Sequence, residues 1–184
     1  PQDALCAILD RLAAALPNLT RVAAYASPNS LTTKSVEDLA ALRQKRLRIL
    51  YFGLESGDGE TLRLAAKGYE PDDMLALCRK AHAAGMKLSV TAILGLAGRE
   101  RSAAHAAATA AWVNALSPKY FSLLTMFRRH NDDYFQAIRP LGNGQIIADG
   151  GDVDYIGASA VELIGPGESA GNYRQIEVVD GVIS

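Results

Sequence analysis

Helix-like and strand-like patterns of apolar residues alternate along residues 3–126. Four short apolar runs, bounded by polar or turn-forming residues, predict β-strands at 21–27, 49–55, 87–95 and 119–126. Segments with a helical period predict helices at 3–16, 36–45, 58–66, 71–84 and 101–115. Strands that alternate with helices at this spacing are typical of right-handed βαβ units, so the sequence predicts an α/β fold with a parallel sheet.

The number and the faces of these strands narrow the fold. A closed eight-unit barrel needs roughly 250 residues, so four strand–helix units leave either an open doubly wound sheet or part of a barrel. One strand face is apolar and suits packing on helices. The other face is mostly small or polar: Tyr25, Ser27, Tyr51, Glu55, Ser89, Thr91 and Ser122. We therefore expect a partial (β/α) barrel whose polar face surrounds a ligand rather than a dry core.

The C-terminal part departs from this plan. Residues 139–184 hold nine of the sixteen glycines, show no helical period, and contain strand-like runs such as GQIIAD, AVELIG and IEVVDGVIS. They carry 2 basic and 7 acidic side chains, whereas residues 1–138 carry 17 and 13. This contrast in charge predicts two parts with different roles: a barrel-like domain over 1–128 and a glycine-rich extension over 129–184 that could form β structure.

Composition excludes several classes of protein. A formal net charge of −1 gives no footprint for nucleic acid. No apolar run approaches the roughly 18 residues of a membrane span, and no signal peptide opens the chain. The two cysteines, Cys6 and Cys78, cannot form a disulfide framework and have neither a nearby base nor metal-ligand spacing, so we interpret them as packing residues. A reducing cytoplasm is the simplest setting.

The candidate chemistry is concentrated where the second predicted strand ends. Glu55 follows an apolar strand directly, and ligands in α/β folds bind beyond the carboxyl ends of strands. A carboxylate there suits ribose hydroxyls or an ammonium group; the alternative is an ion pair with Arg21 or Arg128. Ser56 begins a glycine-flanked turn before a helix, whose free N–H groups could bind an anion, unless Ser56 or Asp58 simply caps the helix.

Other strand ends add weaker candidates. Ser27, Thr125 and Arg128 lie at or just beyond strand ends, and the segment ILGLAG at 93–98 sets two glycines after a strand, where a flat ring can approach the backbone. His105 lies within a predicted helix and is interpreted as structural or exposed, and Lys67 as solvated.

Several segments together resemble the radical S-adenosylmethionine superfamily, and specifically its branch with elongator-type and oxygen-independent coproporphyrinogen-oxidase-type domains. In order, they are RVAAYASPNSL, KSVEDLAAL, LYFGLESGDGETLRLAAKG, LSVTAILGLAGRERSAAHAAATA and VNALSPKYFSLLTM. The resemblance covers about residues 3–127. It implies a partial (β/α)₆ barrel that holds a [4Fe–4S] cluster and S-adenosylmethionine, whose reductive cleavage gives a 5′-deoxyadenosyl radical.

The resemblance also implies residue roles. The four predicted strands correspond to the third to sixth strands of the family. Ser27, Glu55 and Ser56 would then face the ribose and methionine portions of S-adenosylmethionine, and Ile93 and Gly95 would pack against its adenine. Thr125 and Arg128 would lie on the substrate side.

Two family motifs are missing from this sequence. The CxxxCxxC loop that binds three irons and the glycine-rich motif for the methionine amine have no counterpart, since residue 1 falls where the chain would be leaving the second strand. We expect a fragment with about two-thirds of the cofactor cradle, unable by itself to bind the cluster or generate the radical, and assign no metal ligand.

Three functions stay open at this point. The first is a fragment of a radical S-adenosylmethionine enzyme with an unidentified small or macromolecular substrate; whether the chain alone is an enzyme is undecided. The second is a non-catalytic ligand-binding or scaffold module that oligomerises through an exposed strand edge near 21–27. The third, a nucleotide-dependent enzyme, is disfavoured because no phosphate-binding loop follows a strand.

Overall fold

The computed structural model describes residues 1–126 and the backbone of two short strands, 174–179 and 182–183. The strands in chain order are β1 Val22–Ala26, β2 Leu47–Glu55, β3 Lys87–Leu94, β4 Tyr120–Thr125, β5 Arg174–Val179 and β6 Val182–Ile183. The helices are α1 Gln2–Ala15, α2 Pro28–Thr32, α3 Val36–Gln44, α4 Gly59–Leu64, α5 Pro71–Ala83 and α6 Ser102–Leu116. Every strand and helix predicted within 1–126 is present, with bounds that differ by only one or two residues at most ends.

The strands form one sheet in the order β1-β2-β3-β4-β5-β6, and the first four are parallel. Each parallel strand therefore lies beside the strand that precedes it in the sequence, so the connections progress across the sheet in one direction. Right-handed connections of this kind place all of their helices on one face of the sheet, whereas in a doubly wound sheet the direction reverses and helices cover both faces. The sheet is thus part of a barrel, as predicted, and not a doubly wound sheet.

Burial confirms a single helical layer. Apolar side chains on one face of β2 and β3 (Leu50, Phe52, Leu54, Leu88, Val90) pack in the same core cluster as residues of the helices. The helical members of that cluster are Leu9, Leu31, Leu39, Leu42, Leu62, Met74, Cys78, Ala81, Trp112, Val113 and Leu116. The opposite face of the sheet carries exposed or half-buried side chains such as Tyr25, Tyr51 and Leu124. Within residues 1–126, the core lies between the sheet and this helical layer.

Local signals explain most helix ends. Ser35 accepts a hydrogen bond from the backbone N–H of Asp38, whose carboxylate accepts one from the N–H of Ser35, so a capping box starts α3. Helix α5 begins at Pro71 and is followed by Gly85, whose φ of 78° is the left-handed conformation that favours glycine.

Helix α2 is not among the helices that the sequence predicted. Ser27 caps this helix by accepting from the N–H of Ser30, and Pro28 occupies the first helical position. The signal was in the sequence, since a serine before proline with a second serine three residues on is a short capping box. The five-residue helix escaped notice because it is too short to show a period.

Beyond residue 126, the structure describes only the backbone of two strands. Strand β5 pairs antiparallel with β4, and β6 pairs antiparallel with β5, so the strand-like run at 176–184 does take part in β structure. The runs GQIIAD and AVELIG, and the predicted boundary between residues 128 and 129, lie outside the described residues. No helix in the described part of the chain has the length and apolar character to cross a membrane.

Candidate functional site

A pocket opens on the face of the sheet opposite the helices, towards the carboxyl ends of the strands. Its volume is about 690 Å³. Residues of all four parallel strands and of two following loops line it: Tyr25, Ala26, Ser27, Pro28, Tyr51, Phe52, Gly53, Glu55, Lys67, Ser89, Thr91, Ile93, Ser122 and Leu124. The polar strand face that the sequence predicted to surround a ligand is therefore the wall of this pocket.

Glu55 lies on the pocket face at an irregular strand end. The alternation of β2 puts Glu55 on the same face as Tyr51 and Gly53, and all three line the pocket. The pairing of β2 with β3 shifts at this point, so that Gly53 lies opposite Thr91 but Glu55 lies opposite Ala92, which is buried in the core. Glu55 takes a left-handed φ of 64° here. Such irregularities are common beside binding sites, where they re-aim a side chain or end the pairing of a strand.

The carboxylate of Glu55 lies over Gly53 and pairs with Lys67. Its Oε1 is 3.0 Å from Lys67 Nζ, and the two side chains are 24% and 26% exposed. A Cβ on Gly53 would meet Oε1 of this carboxylate, so a larger residue here would displace the carboxylate from its present position. The partner of Glu55 is thus Lys67 and not Arg21, and the interpretation of Lys67 as a solvated side chain is wrong. The other predicted partner, Arg128, lies outside the described residues.

Ser56 lies behind the pocket wall and is completely buried. Its Oγ is 2.7 Å from Nδ1 of His105 and accepts a hydrogen bond from the N–H of Asp58 at 3.0 Å. The cap of α4 is Asp58, which accepts from the N–H of Thr61. Capping by Asp58, one of the two predicted roles of this turn, is therefore observed, and Ser56 joins the turn to α6. Anion binding at the turn stays a prediction.

Charged and buried groups stabilise this turn. Arg101 Nη2 lies 2.8 Å from both carboxylate oxygens of Asp58. Burial raises the pKa of the Asp58 carboxyl, but hydrogen bonds from Thr61 and Arg101 outweigh it, and the net pKa is below its ordinary value. Burial lowers the pKa of His105, because a charged imidazole loses its hydration, so His105 is neutral at pH 7. His105 was interpreted as structural or exposed, and the structure shows it buried.

The remaining predicted residues occupy different parts of the site. Ser27 and Ile93 line the pocket. Gly95 follows β3 with a φ of 85°, which opens the turn into the loop before α6. Thr125, at the end of β4, is half-buried and is not part of the pocket wall. Arg128 lies beyond the described residues, so its predicted substrate-side position stays a prediction.

Two features of the pocket were not singled out from sequence. Lys67 lies twelve residues after Glu55, and no helical or strand periodicity of the sequence predicts that the two side chains meet. The rings of Tyr25 and Tyr51 lie side by side, with centroids 5.5 Å apart and planes inclined by 38°. Their alternation predicted a shared face, and their direct pairing across β1 and β2 follows from the register.

The cysteines lie away from the pocket. Cys6 is half-buried on α1, and Cys78 is buried on α5, where burial raises the pKa of its thiol to about 12. Such a thiol is protonated at pH 7 and is a poor metal ligand or nucleophile. Among the residues that the structure describes, no group of three or more His, Cys, Asp or Glu side chains is arranged to hold a metal ion.

Comparison with solved structures identifies the fold. Coproporphyrinogen III oxidase (HemN) from Escherichia coli, described as a radical SAM enzyme, superposes on 78% of this chain with a TM-score of 0.54 and 20% sequence identity. The radical S-adenosylmethionine methyltransferase TsrM from Kitasatospora setae superposes on 68% of the chain, with a TM-score of 0.47 and 23% identity. No family model and no curated protein sequence matches the chain.

The chain therefore has a radical SAM fold, which confirms the fold that the sequence resemblance implied. It spans 33% of the E. coli oxidase and 23% of the methyltransferase. The finer assignment to the elongator-type and coproporphyrinogen-oxidase-type branch stays a prediction.

Proposed function

We propose that this chain is part of a radical SAM enzyme and contributes part of the cradle for S-adenosylmethionine and substrate. The observation that carries the proposal is a pocket of about 690 Å³ on the inner face of a radical SAM fold, with the carboxylate of Glu55 turned into it. The pocket lies where parallel α/β sheets bind ligands, beyond the carboxyl ends of their strands.

The described residues offer hydrogen-bonding and apolar groups that suit different parts of S-adenosylmethionine. Glu55 keeps one carboxylate oxygen that is not bonded to Lys67 and would accept hydrogen bonds from ribose hydroxyls. Ile93 offers an apolar wall, and the turn at Gly95 a close backbone approach, for adenine. Ser27 would contribute at the first strand, and Thr125 and Arg128 on the substrate side. With a [4Fe–4S] cluster, S-adenosylmethionine supplies a 5′-deoxyadenosyl radical for hydrogen abstraction.

The Glu55–Lys67 pair favours a neutral group at this end of the pocket. Because Lys67 Nζ is 3.0 Å from the carboxylate, the pair has no net charge. An unpaired carboxylate would select an ammonium group, whereas a neutralised one still accepts hydrogen bonds from hydroxyls. This balance supports the ribose as the group bound by Glu55.

Calorimetric titration of the chain with S-adenosylhomocysteine tests the proposal. This compound keeps the adenosine and the amino acid but has no charge at sulfur. We expect saturable binding with a dissociation constant of about 0.1–1 mM, which suits a partial cradle. Competition by adenosine is expected, since both fill the same end of the pocket, whereas no binding at millimolar ligand would overturn the proposal.

The chain does not fit the iron–sulfur cluster, and this is part of the proposal. A cluster of this type needs several closely spaced thiolates, and the sequence has two cysteines, on different helices. Anaerobic reconstitution with iron and sulfide is therefore expected to give none of the visible thiolate-to-iron absorption that is typical of such clusters. Formation of one four-iron cluster per chain would contradict this, and a cluster-containing ferredoxin treated identically is the positive control.

A second candidate function is an oligomerising scaffold, and the position of β1 at the edge of the described sheet favours it. Among the described strands, β1 pairs only with β2, and the side chain of Tyr25 on it is 91% exposed. An open strand edge with an exposed aromatic side chain invites pairing with a second copy.

Sedimentation across a hundredfold range of protein concentration tests this second function. We expect a dimer for the native chain and a monomer for Ala23→Lys, because a lysine on an edge strand opposes pairing and Ala23 is already exposed. A strictly monomeric native chain would rule out pairing through this edge.

A further inference from the structure

Two tyrosine side chains on the pocket wall are left without a role by the proposed function. Tyr25 on β1 is 91% exposed and Tyr51 on β2 is 38% exposed, and both line the pocket. Their ring centroids are 5.5 Å apart, and the ring planes are inclined by 38°. Two neighbouring aromatic rings that stay uncovered inside a concave pocket offer apolar surface that a ligand can bury.

The tyrosine pair lies at the opposite end of the pocket from Ile93. Tyr51 is paired with Ser89 on β3, and Ile93 follows Ser89 by four residues, so the two ends are about 13 Å apart along the strands. The carboxylate of Glu55 lies between them, over Gly53, about 6–7 Å along β2 from Tyr51. A ribose at Glu55 with its adenine at Ile93 would therefore leave the tyrosine end open to a second group.

Charge selects the kind of group that suits this end. Among the described lining residues, Glu55 and Lys67 are the ones with a formal charge, and they pair with each other. An ammonium group at the tyrosine rings would thus gain only the attraction of the ring faces. A neutral aromatic ring gains both ring–ring contact and the burial of apolar surface. The tyrosine end therefore favours a neutral planar ring.

We propose that Tyr25 and Tyr51 form a stacking site for a neutral aromatic ring, which belongs to the substrate and lies beside the ribose of S-adenosylmethionine. This site deepens the proposed function, on which the identity of the neighbouring cofactor rests. The two rings stand on the face of the sheet, whereas pairing of β1 with another strand would use its backbone edge, so the two uses of β1 are compatible.

Titration of the full chain with benzamide tests the stacking site, with cyclohexanecarboxamide as the saturated control. Nuclear magnetic resonance of isotope-labelled tyrosine rings measures the ring-current shifts that a stacked ligand causes. We expect saturable shifts of two tyrosines, with a dissociation constant of about 1–10 mM for a ligand of this size. Cyclohexanecarboxamide should bind at least about threefold more weakly, because it buries similar area without an aromatic face. Tighter binding of tetramethylammonium than of benzamide would show a cation site and overturn the neutral ring.

Variants of the two tyrosines separate stacking from folding. The double variant Tyr25→Phe, Tyr51→Phe keeps both rings, so its affinity for benzamide should stay within about twofold of the native value. The double variant Tyr25→Leu, Tyr51→Leu should bind benzamide about five- to tenfold more weakly. Tyr25→Leu alone, at the more exposed position, should weaken binding by about threefold and serves if the double variant does not fold. Leucine variants with the native affinity for benzamide would overturn the stacking site.

S-adenosylhomocysteine distinguishes a substrate ring from the adenine of the cofactor. We expect it to leave the affinity for benzamide, and to keep its own affinity for the leucine variants, within about twofold. Displacement of benzamide, or an equal loss of both ligands in the leucine variants, would mean that the tyrosines bind adenine, and the proposal would be wrong. If benzamide binds at the tyrosines but S-adenosylhomocysteine does not bind, the proposed function fails and the stacking site stands. Without saturable tyrosine shifts on addition of benzamide, the stacking site is refuted, whether or not S-adenosylhomocysteine binds.

Discussion

Glu55→Gln is expected to lower the affinity for S-adenosylhomocysteine by about 10- to 100-fold, the effect of losing charge-assisted hydrogen bonds worth about 1.5–3 kcal/mol. The substitution keeps the shape of the side chain and removes the charge that ribose hydroxyls would bind. The pair with Lys67 is partly exposed, so its loss should change the free energy of unfolding by only about 0–1 kcal/mol. Titration calorimetry and urea denaturation measure the two effects; an affinity within twofold of the native value would contradict the role of Glu55.

Lys67→Gln is the matched control for that experiment. It keeps the carboxylate and removes its counter-charge, so binding of the neutral thioether should persist. S-adenosylmethionine carries a positive sulfur, and its affinity relative to S-adenosylhomocysteine should rise by about three- to tenfold, on the order of 1 kcal/mol for one nearby charge. A fall of both affinities, as large as for Glu55→Gln, would indicate that Lys67 rather than Glu55 binds the ligand.

Leu54→Ala is expected to lower the free energy of unfolding by about 2–5 kcal/mol, a large part of the roughly 5–15 kcal/mol that is typical of a folded domain. Leu54 is completely buried between β2 and the helical layer, so the shorter side chain leaves a cavity that the sheet and helices cannot fill. Urea denaturation followed by circular dichroism measures the loss as a lower midpoint at unchanged slope.

Leu124→Ala is the control for this substitution, because Leu124 is a leucine of β4 on the opposite face and is 37% exposed. The shorter side chain in Leu124→Ala should lower the free energy of unfolding by less than about 1 kcal/mol. Equal losses at Leu54 and Leu124 would mean that both faces of the sheet are packed, which would contradict the single helical layer.

Much of the fold could be predicted because its signals are local. The alternation in β2, the capping box at Ser35 and the proline-to-glycine limits of α5 each depend on neighbours within a few residues. Local sterics and hydrogen bonds decide these features before any long-range contact forms. The same alternation assigned Tyr51 and Glu55 to the pocket face correctly.

The site was only partly predictable. Glu55 was found from its place at a strand end, but its partner Lys67 belongs to a later loop, and the bond between Ser56 and His105 joins residues 49 positions apart. Hydrophobic periodicity tells which way a side chain faces and not which side chain it meets. The interpretation of Lys67 failed for this reason, and the partner of His105 was not predicted although a structural role for it was.

By itself, the sequence determined the order of the four parallel strands and of the helices other than α2, the two faces of each of these strands, and the carboxylate at the end of β2. Tertiary structure alone decided that one helical layer covers the sheet, that Lys67 pairs with Glu55, and that His105 joins the turn after β2 to α6. The physical reason is range: propensity and periodicity act over a few residues, whereas ion pairs and buried hydrogen bonds form between groups that meet only when the chain has folded.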